Sequence, residues 1–167
     1  MRKNGDDYEC IKRNAKITDD AMQASWQVLK AGMREKDVAA IICQSFENQD
    51  AKAKFHIILA SKNGAFPHHQ TGKTILKKND VILMDIGGTM EGYSRDITCM
   101  AVISQPPQGY KEIQVIVDQA LEAASQAARS SIQACDVDAA ARKIVMLAGY
   151  GEYFNHRTGH GIGVEIH

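Results

Sequence analysis

The segment DIGGTMEGYSRD, residues 85–96, lies between two runs of apolar and β-branched residues, VILM before it and ITCMAV after it. Such runs predict strands, and the Gly-rich stretch between them predicts a turn, so we expect a β-hairpin. With Met90 and Glu91 as the loop, the two strands pair so that Asp85 lies directly opposite Asp96.

Two carboxylates in direct opposition require a cation. Side chains directly across an antiparallel pair lie about 4.5–5.5 Å apart at Cβ, where like charges destabilise the sheet. A divalent metal ion converts that repulsion into coordination. An offset hairpin with both carboxylates in solvent is the alternative, but Asp85 and Asp96 share strand faces with Leu83 and Met100, which predicts that they point inward.

A second cluster of candidate residues lies in FNHRTGHGIGVEIH, residues 154–167, which holds three of the six histidines of the chain. In strand geometry His156 and His160 share a face. His167 falls on the opposite face of an unbroken strand, although the intervening glycines allow a bulge that would re-aim it. This concentration of imidazoles predicts a functional site.

Imidazole and carboxylate donors without thiolate suit manganese, iron, cobalt or catalytic zinc. Two such ions about 3.5–4 Å apart polarise a carbonyl and generate hydroxide from water at neutral pH. Two aspartates and one histidine are too few for a dinuclear site, so we expect further carboxylates from elsewhere.

The segments DIGGTMEGYSRDIT and HRTGHGIGVEIH together resemble the pita-bread metallopeptidases, and PHH at residues 67–69 is similar to the Xaa-Pro dipeptidase and aminopeptidase P branch. The resemblance extends from about Glu9 to the last residue. It implies an α+β pita-bread (creatinase/aminopeptidase) fold, in which helices cover a curved antiparallel sheet. It also implies two divalent metal ions, with manganese the first choice and cobalt, zinc or iron as alternatives.

The implied activity is hydrolysis of the bond between an amino-terminal residue and proline, in a peptide or dipeptide substrate with proline at the second position. The resemblance implies three metal ligands, namely Asp85, Asp96 and His160. It implies three histidines that contact the substrate and assist proton transfer, namely His68, His156 and His167. We expect His69 to be a bystander and His56, in FHIILA, to be a packed strand residue.

Two departures from the family pattern bear on these expectations. The family has two glutamate ligands beyond the final histidine of the motif, and this sequence stops at His167. Cys99 stands where the family often has arginine, which weakens the subfamily assignment. We therefore expect a partial catalytic domain, with a first half at about 1–105 and a truncated second half at about 106–167. We expect it to bind metal weakly and to turn over poorly in isolation.

An incomplete second half leaves apolar surface and sheet edge open, which favours self-association as a homo-oligomer.

Three other functions stay open from the residues alone. Methionine aminopeptidase chemistry uses the same fold, but PHH and HRTGHG argue against it. Creatinase-like hydrolysis of a small amidine depends on pocket residues outside the motifs. A catalytically inactive relative that binds peptide or protein would be expected to lack metal ligands, whereas Asp85, Asp96 and His160 are all present.

Composition narrows the class of protein. The chain has 167 residues, of which 44% are hydrophobic and 24% charged, as in an ordinary globular domain. Twenty basic residues balance twenty acidic ones, so nothing indicates binding to nucleic acid or to an anionic membrane. Four scattered cysteines without CxxC, and an amino terminus without a signal peptide, predict a reduced cytoplasmic protein.

Apolar periodicity predicts four helices, at residues 8–29, 37–46, 110–130 and 137–147. FHIILA is predicted as a strand, SKNGAFPHH as a loop and QPPQG as a linker between halves. A long helix, a short helix and ligand-bearing strands follow in the same order in both halves, which suggests a duplicated unit. Met33 and Asp37 align with Ile132 and Asp136 at a constant offset, although this match is faint.

Overall fold

The structure, a computed structural model, describes residues 3–66 and 69–166. It divides into two compact units, Met1–Pro107 together with Gly161–His167, and Gln108–His160. The first unit contains α1 (Gly5–Val28), α2 (Glu35–Glu47), β1 (Lys52–Ala60), β2 (Val81–Met90) and β3 (Tyr93–Val102). The second contains α3 (Tyr110–Ala127) and α4 (Ala134–Leu147). Short 3₁₀ helices lie at Ser61–Ala65 and Gly151–Tyr153.

All four predicted helices are present, and their ends are set by caps that apolar periodicity does not reveal. Helix α1 begins earlier than predicted because Asn4 and Asp7 form a capping box. Asn4 Oδ1 accepts a hydrogen bond from the Asp7 amide at 2.9 Å, and Asp7 Oδ2 accepts one from the Asn4 amide at 2.8 Å. Helix α2 begins after Arg34, whose amide donates to Asp37 Oδ2 at 2.9 Å.

The three strands form one antiparallel sheet in the order β1, β2, β3. Alternate residues of the strands pack against α1 and α2, so one sheet face and two amphipathic helices share a hydrophobic core. Its largest fully buried side chains include Met22, Val38, Ile42, Phe46, Ile58, Ile82, Met84 and Ile86. The expected α+β architecture is confirmed.

The hairpin is present, but its predicted register is wrong. The turn residues are Glu91 and Gly92, with φ of +50° and +82°, and Met90 pairs with Tyr93. Two-residue hairpin loops favour positive φ at both central positions, and glycine adopts it without strain. Gly92 therefore occupies the turn, which shifts every pair by two residues from the predicted alignment.

The predicted strand around His156 and His160 is also wrong. Residues 154–166, all of which the structure describes, form no strand. The carbonyl groups of Phe154 and His156 accept hydrogen bonds from Arg142, and the amide of Thr158 donates to Asp138. Side chains thus satisfy backbone groups that a strand would have paired in a ladder.

No helix in the described part of the chain has both the length and the apolar character of a membrane span.

Glu35, in the first turn of α2, is fully buried with 0% exposure. Its Oε1 accepts hydrogen bonds from the Ala60 amide at 2.9 Å and from Asn63 Nδ2 at 3.0 Å. Its Oε2 accepts one from the Gly72 amide at 2.9 Å. One carboxylate therefore links α2 to the end of β1 and to both sides of the loop that follows it.

We predict that Glu35→Ala lowers the free energy of unfolding by roughly 3 kcal/mol or more, because three donors lose their acceptor. Urea denaturation of the native protein measures this. The matched control is Glu47→Ala, an exposed glutamate in the same helix, which we expect to change stability by about 0.5 kcal/mol at most. Equal effects of the two variants would contradict the role of Glu35.

The hydrogen bonds of Asp7 make the stability of the folded protein depend on pH. The Tyr93 hydroxyl donates to Asp7 Oδ1 and, with the Asn4 amide, holds the pKa of Asp7 below its ordinary value of 3.8. Since the folded state has the lower pKa, this stabilisation is present above pH 3.8 and is lost as pH falls through the folded pKa. Between pH 6 and pH 3, Asp7→Asn should therefore lose less stability than the wild type in urea titrations. Parallel losses in the two proteins would contradict this.

Candidate metal centre

Asp85 and Asp96 lie on neighbouring strands but not directly opposite each other. Asp85 pairs with Thr98, and Asp96 pairs with Gly87. Direct partners share a sheet face, and Thr98 is two residues from Asp96, so both aspartates project from the same face. They are diagonal neighbours, about 7–8 Å apart at Cα. The prediction of direct opposition is wrong because the turn is at Glu91–Gly92. The prediction that both aspartates project from one face of the sheet is correct.

That face is the one turned away from α1 and α2. Leu83 pairs with Met100 and shares the face of Asp85, as predicted, but Met100 is 46% exposed. The helix-packed face is instead that of Ile82 and Met84. The aspartates are therefore half-buried rather than in the hydrophobic core of the first unit. This position avoids much of the cost of burying charge.

Thr98 orients the carboxylate of Asp85. Its hydroxyl donates a hydrogen bond to Asp85 Oδ1 at 2.9 Å. Hydrogen bonds of this kind fix the orientation of metal-binding carboxylates in proteins. The spacing of Asp96 and Thr98 predicts that they share a face, but the contact with Asp85 depends on the register, which was predicted wrongly.

Phe55 provides an apolar neighbour on the same face. It is the β1 partner of Gly87, and a Cβ atom at Gly87 would lie 2.1 Å from Phe55 Cε1 and 2.6 Å from the Arg95 carbonyl oxygen. Glycine is therefore required sterically where the ring crosses β2. The ring thus lies over Gly87, which is the direct partner of Asp96 and two residues from Asp85, and an apolar surface of this kind strengthens electrostatic interactions beside it.

His156 belongs to the second unit, and its ring has two contacts there. Nδ1 lies 2.9 Å from the carbonyl oxygen of Arg157. A carbonyl can only accept, so Nδ1 carries the proton and Nε2 of the neutral ring has a lone pair. The ring also meets Phe154 edge to face, with centroids 5.3 Å apart.

The short helix α4 holds the segment that contains His156. Arg142 donates to the carbonyl oxygens of Phe154 at 2.6 Å and His156 at 2.8 Å. Asp138 Oδ1 accepts from both the amide and the hydroxyl of Thr158 at 2.8 Å. The hydrogen bond from Arg142, followed by those from Thr158, lowers the pKa of Asp138 to about 2.

The remaining histidines have varied positions. His160 is exposed and ends the second unit. His68 and His167 lie outside the described residues, and their roles stay predictions. His69 is exposed, with its ring centroid 6.4 Å from that of Phe66. His56 is in β1 as predicted, but it is exposed rather than packed, with Nδ1 3.7 Å from Cys43 Sγ.

The two aspartates fit part of a divalent metal site. Their carboxylate oxygens are suitable ligands for manganese and similar ions, and Thr98 already orients one of them. Within residues 3–66 and 69–166, no three His, Cys, Asp or Glu side chains gather closely enough to hold a metal ion. A complete set of ligands therefore needs groups in addition to those that the described residues bring together.

The chain is similar in sequence to Xaa-Pro dipeptidases. It is 34% identical to that of Pyrococcus horikoshii over 167 residues, which cover 99% of this chain and 48% of that protein. It is also 34% identical to that of Lactobacillus delbrueckii subsp. lactis over 160 residues, which cover 94% of this chain and 44% of that protein. The chain thus spans about half the length of the curated relatives it matches.

The fold of the chain is similar to solved structures of the same kinds of enzyme. An X-Pro aminopeptidase from Thermotoga maritima superposes with a TM-score of 0.95 at 34% identity, over 100% of this chain and 48% of that one. The prolidase from Pyrococcus furiosus superposes with a TM-score of 0.95 at 34% identity, over 99% of this chain and 50% of that one. The expected pita-bread fold is confirmed. Because residues 9–167 also match the family model, the chain belongs to metallopeptidase family M24.

Proposed function

We propose that the native protein hydrolyses the bond between an amino-terminal residue and proline in peptides or dipeptides, in a metal-dependent reaction. The single observation that carries this proposal is the projection of Asp85 and Asp96 from one sheet face, in a chain that belongs to a metallopeptidase family. The Xaa-Pro substrate is supported by the names of the relatives, which are Xaa-Pro dipeptidases and prolidases.

We assign metal binding to Asp85, Asp96 and His160, with two divalent ions and manganese as the first to try. When bound, such ions polarise the scissile carbonyl and activate the attacking water. Asp85 contributes a carboxylate whose orientation is fixed by Thr98. Asp96 projects from the same face across Gly87, beside the Phe55 ring.

We assign the substrate pocket to His68, His156 and His167. His156 is the member with a described environment. Because its Nδ1 proton is donated to the Arg157 carbonyl, Nε2 can accept a hydrogen bond or a proton from the substrate. Histidine Nε2 in this tautomer suits the transfer of a proton during peptide hydrolysis.

Selectivity for proline has a physical rationale. The nitrogen of the scissile bond carries no hydrogen when proline follows, and the ring fixes φ near −65°. A site for this bond therefore needs no acceptor for an amide hydrogen. It can instead contact the proline ring and the carbonyl, for which histidine side chains are suitable partners.

The proposal includes two related halves of the sequence, at about 1–105 and 106–167. Helix α2 begins at Glu35 and α4 at Ala134. The two starts are separated by the same number of residues as Met33 and Ile132, which supports the faint match in sequence. We also propose a cytoplasmic location, supported by four free cysteines.

We predict that Asp96→Ala abolishes manganese-dependent cleavage of Ala-Pro and Phe-Pro by the native protein and lowers its manganese content, because a charged ligand is lost. Chromogenic detection of released proline, elemental analysis and circular dichroism measure activity, metal and fold. Asp118→Ala, an exposed aspartate in α3, is the control and should retain both. A folded Asp96→Ala protein with full activity would contradict the assignment.

We predict a smaller effect for Thr98→Val, which removes the hydroxyl but keeps the branched shape. Loss of an outer hydrogen bond to a ligand typically weakens metal binding by roughly 10–100-fold. Titration calorimetry of the metal-free native protein with Mn²⁺ measures the change. Thr98→Ser keeps the donor and should bind within about threefold of the wild type on the same scale. Equal affinities for the valine and serine variants would argue against Asp85 as an oriented ligand.

A further inference from the structure

Arg142 and Asp138 form an ion pair on one face of α4. They are four residues apart, and Arg142 Nε donates to Asp138 Oδ2 at 3.0 Å. The two side chains are 32% and 28% exposed, so both are largely covered. Each directs its remaining hydrogen-bonding atoms toward residues 154–158, a segment outside any helix or strand.

The pair holds this segment at four points. Arg142 uses both terminal nitrogens, on the carbonyl oxygens of Phe154 and His156. Asp138 uses one oxygen for the amide and the hydroxyl of Thr158. Charged groups make stronger hydrogen bonds than neutral ones. The segment therefore has a defined path although it lacks a backbone ladder.

The same contacts define the environment of the His156 ring. The Arg142 guanidinium lies 4.4 Å above the centroid of the Phe154 ring, which in turn meets His156 edge to face. The carbonyl of His156 itself is held by Arg142, and the next carbonyl, that of Arg157, accepts the Nδ1 proton. Backbone position, ring orientation and tautomer of His156 are thus linked to one guanidinium.

We propose that Arg142 and Asp138 are positioning residues that fix the orientation and the Nδ1-protonated tautomer of His156, so that Nε2 faces the substrate as an acceptor. The proposal rests on the function proposed above, since it concerns the pocket of that reaction. Lysine at position 142 keeps the charge but cannot hold two carbonyls and Asp138 in one plane, because its ammonium is a single point.

The test uses Arg142→Lys in the native protein, with Arg129→Lys, an exposed arginine beyond α3, as the matched control. Long-range ¹H–¹⁵N spectra of the metal-free protein report the His156 tautomer. Mn²⁺ titration reports metal affinity, thermal unfolding reports stability, and Ala-Pro hydrolysis gives kcat and KM. The spectra do not depend on activity, so they test positioning even if the proposed reaction is wrong.

We expect Arg142→Lys to replace the Nδ1–H signature of His156 with that of a mixture of tautomers. We expect kcat to fall by roughly 10-fold or more, since a small misplacement of a reacting group is costly, with a smaller change in KM. Metal affinity should stay within about threefold of the wild type, because no ligand is changed. Arg129→Lys should match the wild type in all readouts.

An unchanged His156 signature in folded Arg142→Lys overturns the proposal, whatever happens to the activity. If that variant does not fold, Asp138→Asn takes its place, since it removes the charge but keeps the shape, and the same signature decides. If the wild-type protein does not cleave Ala-Pro, the proposed function is refuted, and a changed signature in Arg142→Lys would still support the positioning role. Loss of Ala-Pro cleavage with an unchanged signature would refute action through His156.

Discussion

The two-residue turn at Glu91–Gly92 determines which residues of β2 and β3 face each other, and the candidate metal centre depends on that choice. With positive φ at both positions, the turn pairs Asp85 with Thr98 and Asp96 with Gly87. The two aspartates are then diagonal neighbours, and the hydroxyl of Thr98 donates to Asp85. Slippage of either strand by one residue would turn the aspartate on that strand toward the helices.

The first unit holds this register from the other side of the sheet. Asn14 of α1 is fully buried, and its Nδ2 donates to the carbonyl oxygens of Gly88 at 3.2 Å and Tyr93 at 2.8 Å. A Cβ atom at Gly88 would lie 2.2 Å from Phe46 Cε1. One helix thus bonds both strands near the turn, and another packs a ring against the backbone. The helices position the aspartates without touching the face that bears them.

Local patterns in the sequence predicted the helices and the hairpin, because apolar periodicity and turn glycines act within a few residues. The register was predicted wrongly because Met90–Glu91 and Glu91–Gly92 are both compatible with the hydrophobic pattern. Only the need for positive φ, which Gly92 meets, separates them. The segment at 154–166 was predicted as a strand because alternation cannot show that Arg142 and Asp138 bind its backbone.

Candidate residues of the site were found when the chemistry was visible in a motif, as with Asp85 and Asp96. Their supporting residues were missed. The role of Thr98 depends on the register of the hairpin, and that of Phe55 depends on pairing between strands that are distant in sequence. From the sequence alone, Asp138 and Arg142 form an ordinary i,i+4 ion pair on a helix. Their hydrogen bonds to residues 154–158 are visible only in the folded structure. The candidate ligands are thus visible locally in the sequence, whereas the contacts that orient their side chains are tertiary.

The most direct measurement is a crystal structure of the native protein grown with Mn²⁺ and recorded at the manganese absorption edge. The predicted result is an anomalous peak bound by carboxylate oxygens of both Asp85 and Asp96. Manganese bound at other residues, with both aspartates in contact only with protein groups and water, would contradict the assignment of this sheet face as the metal centre.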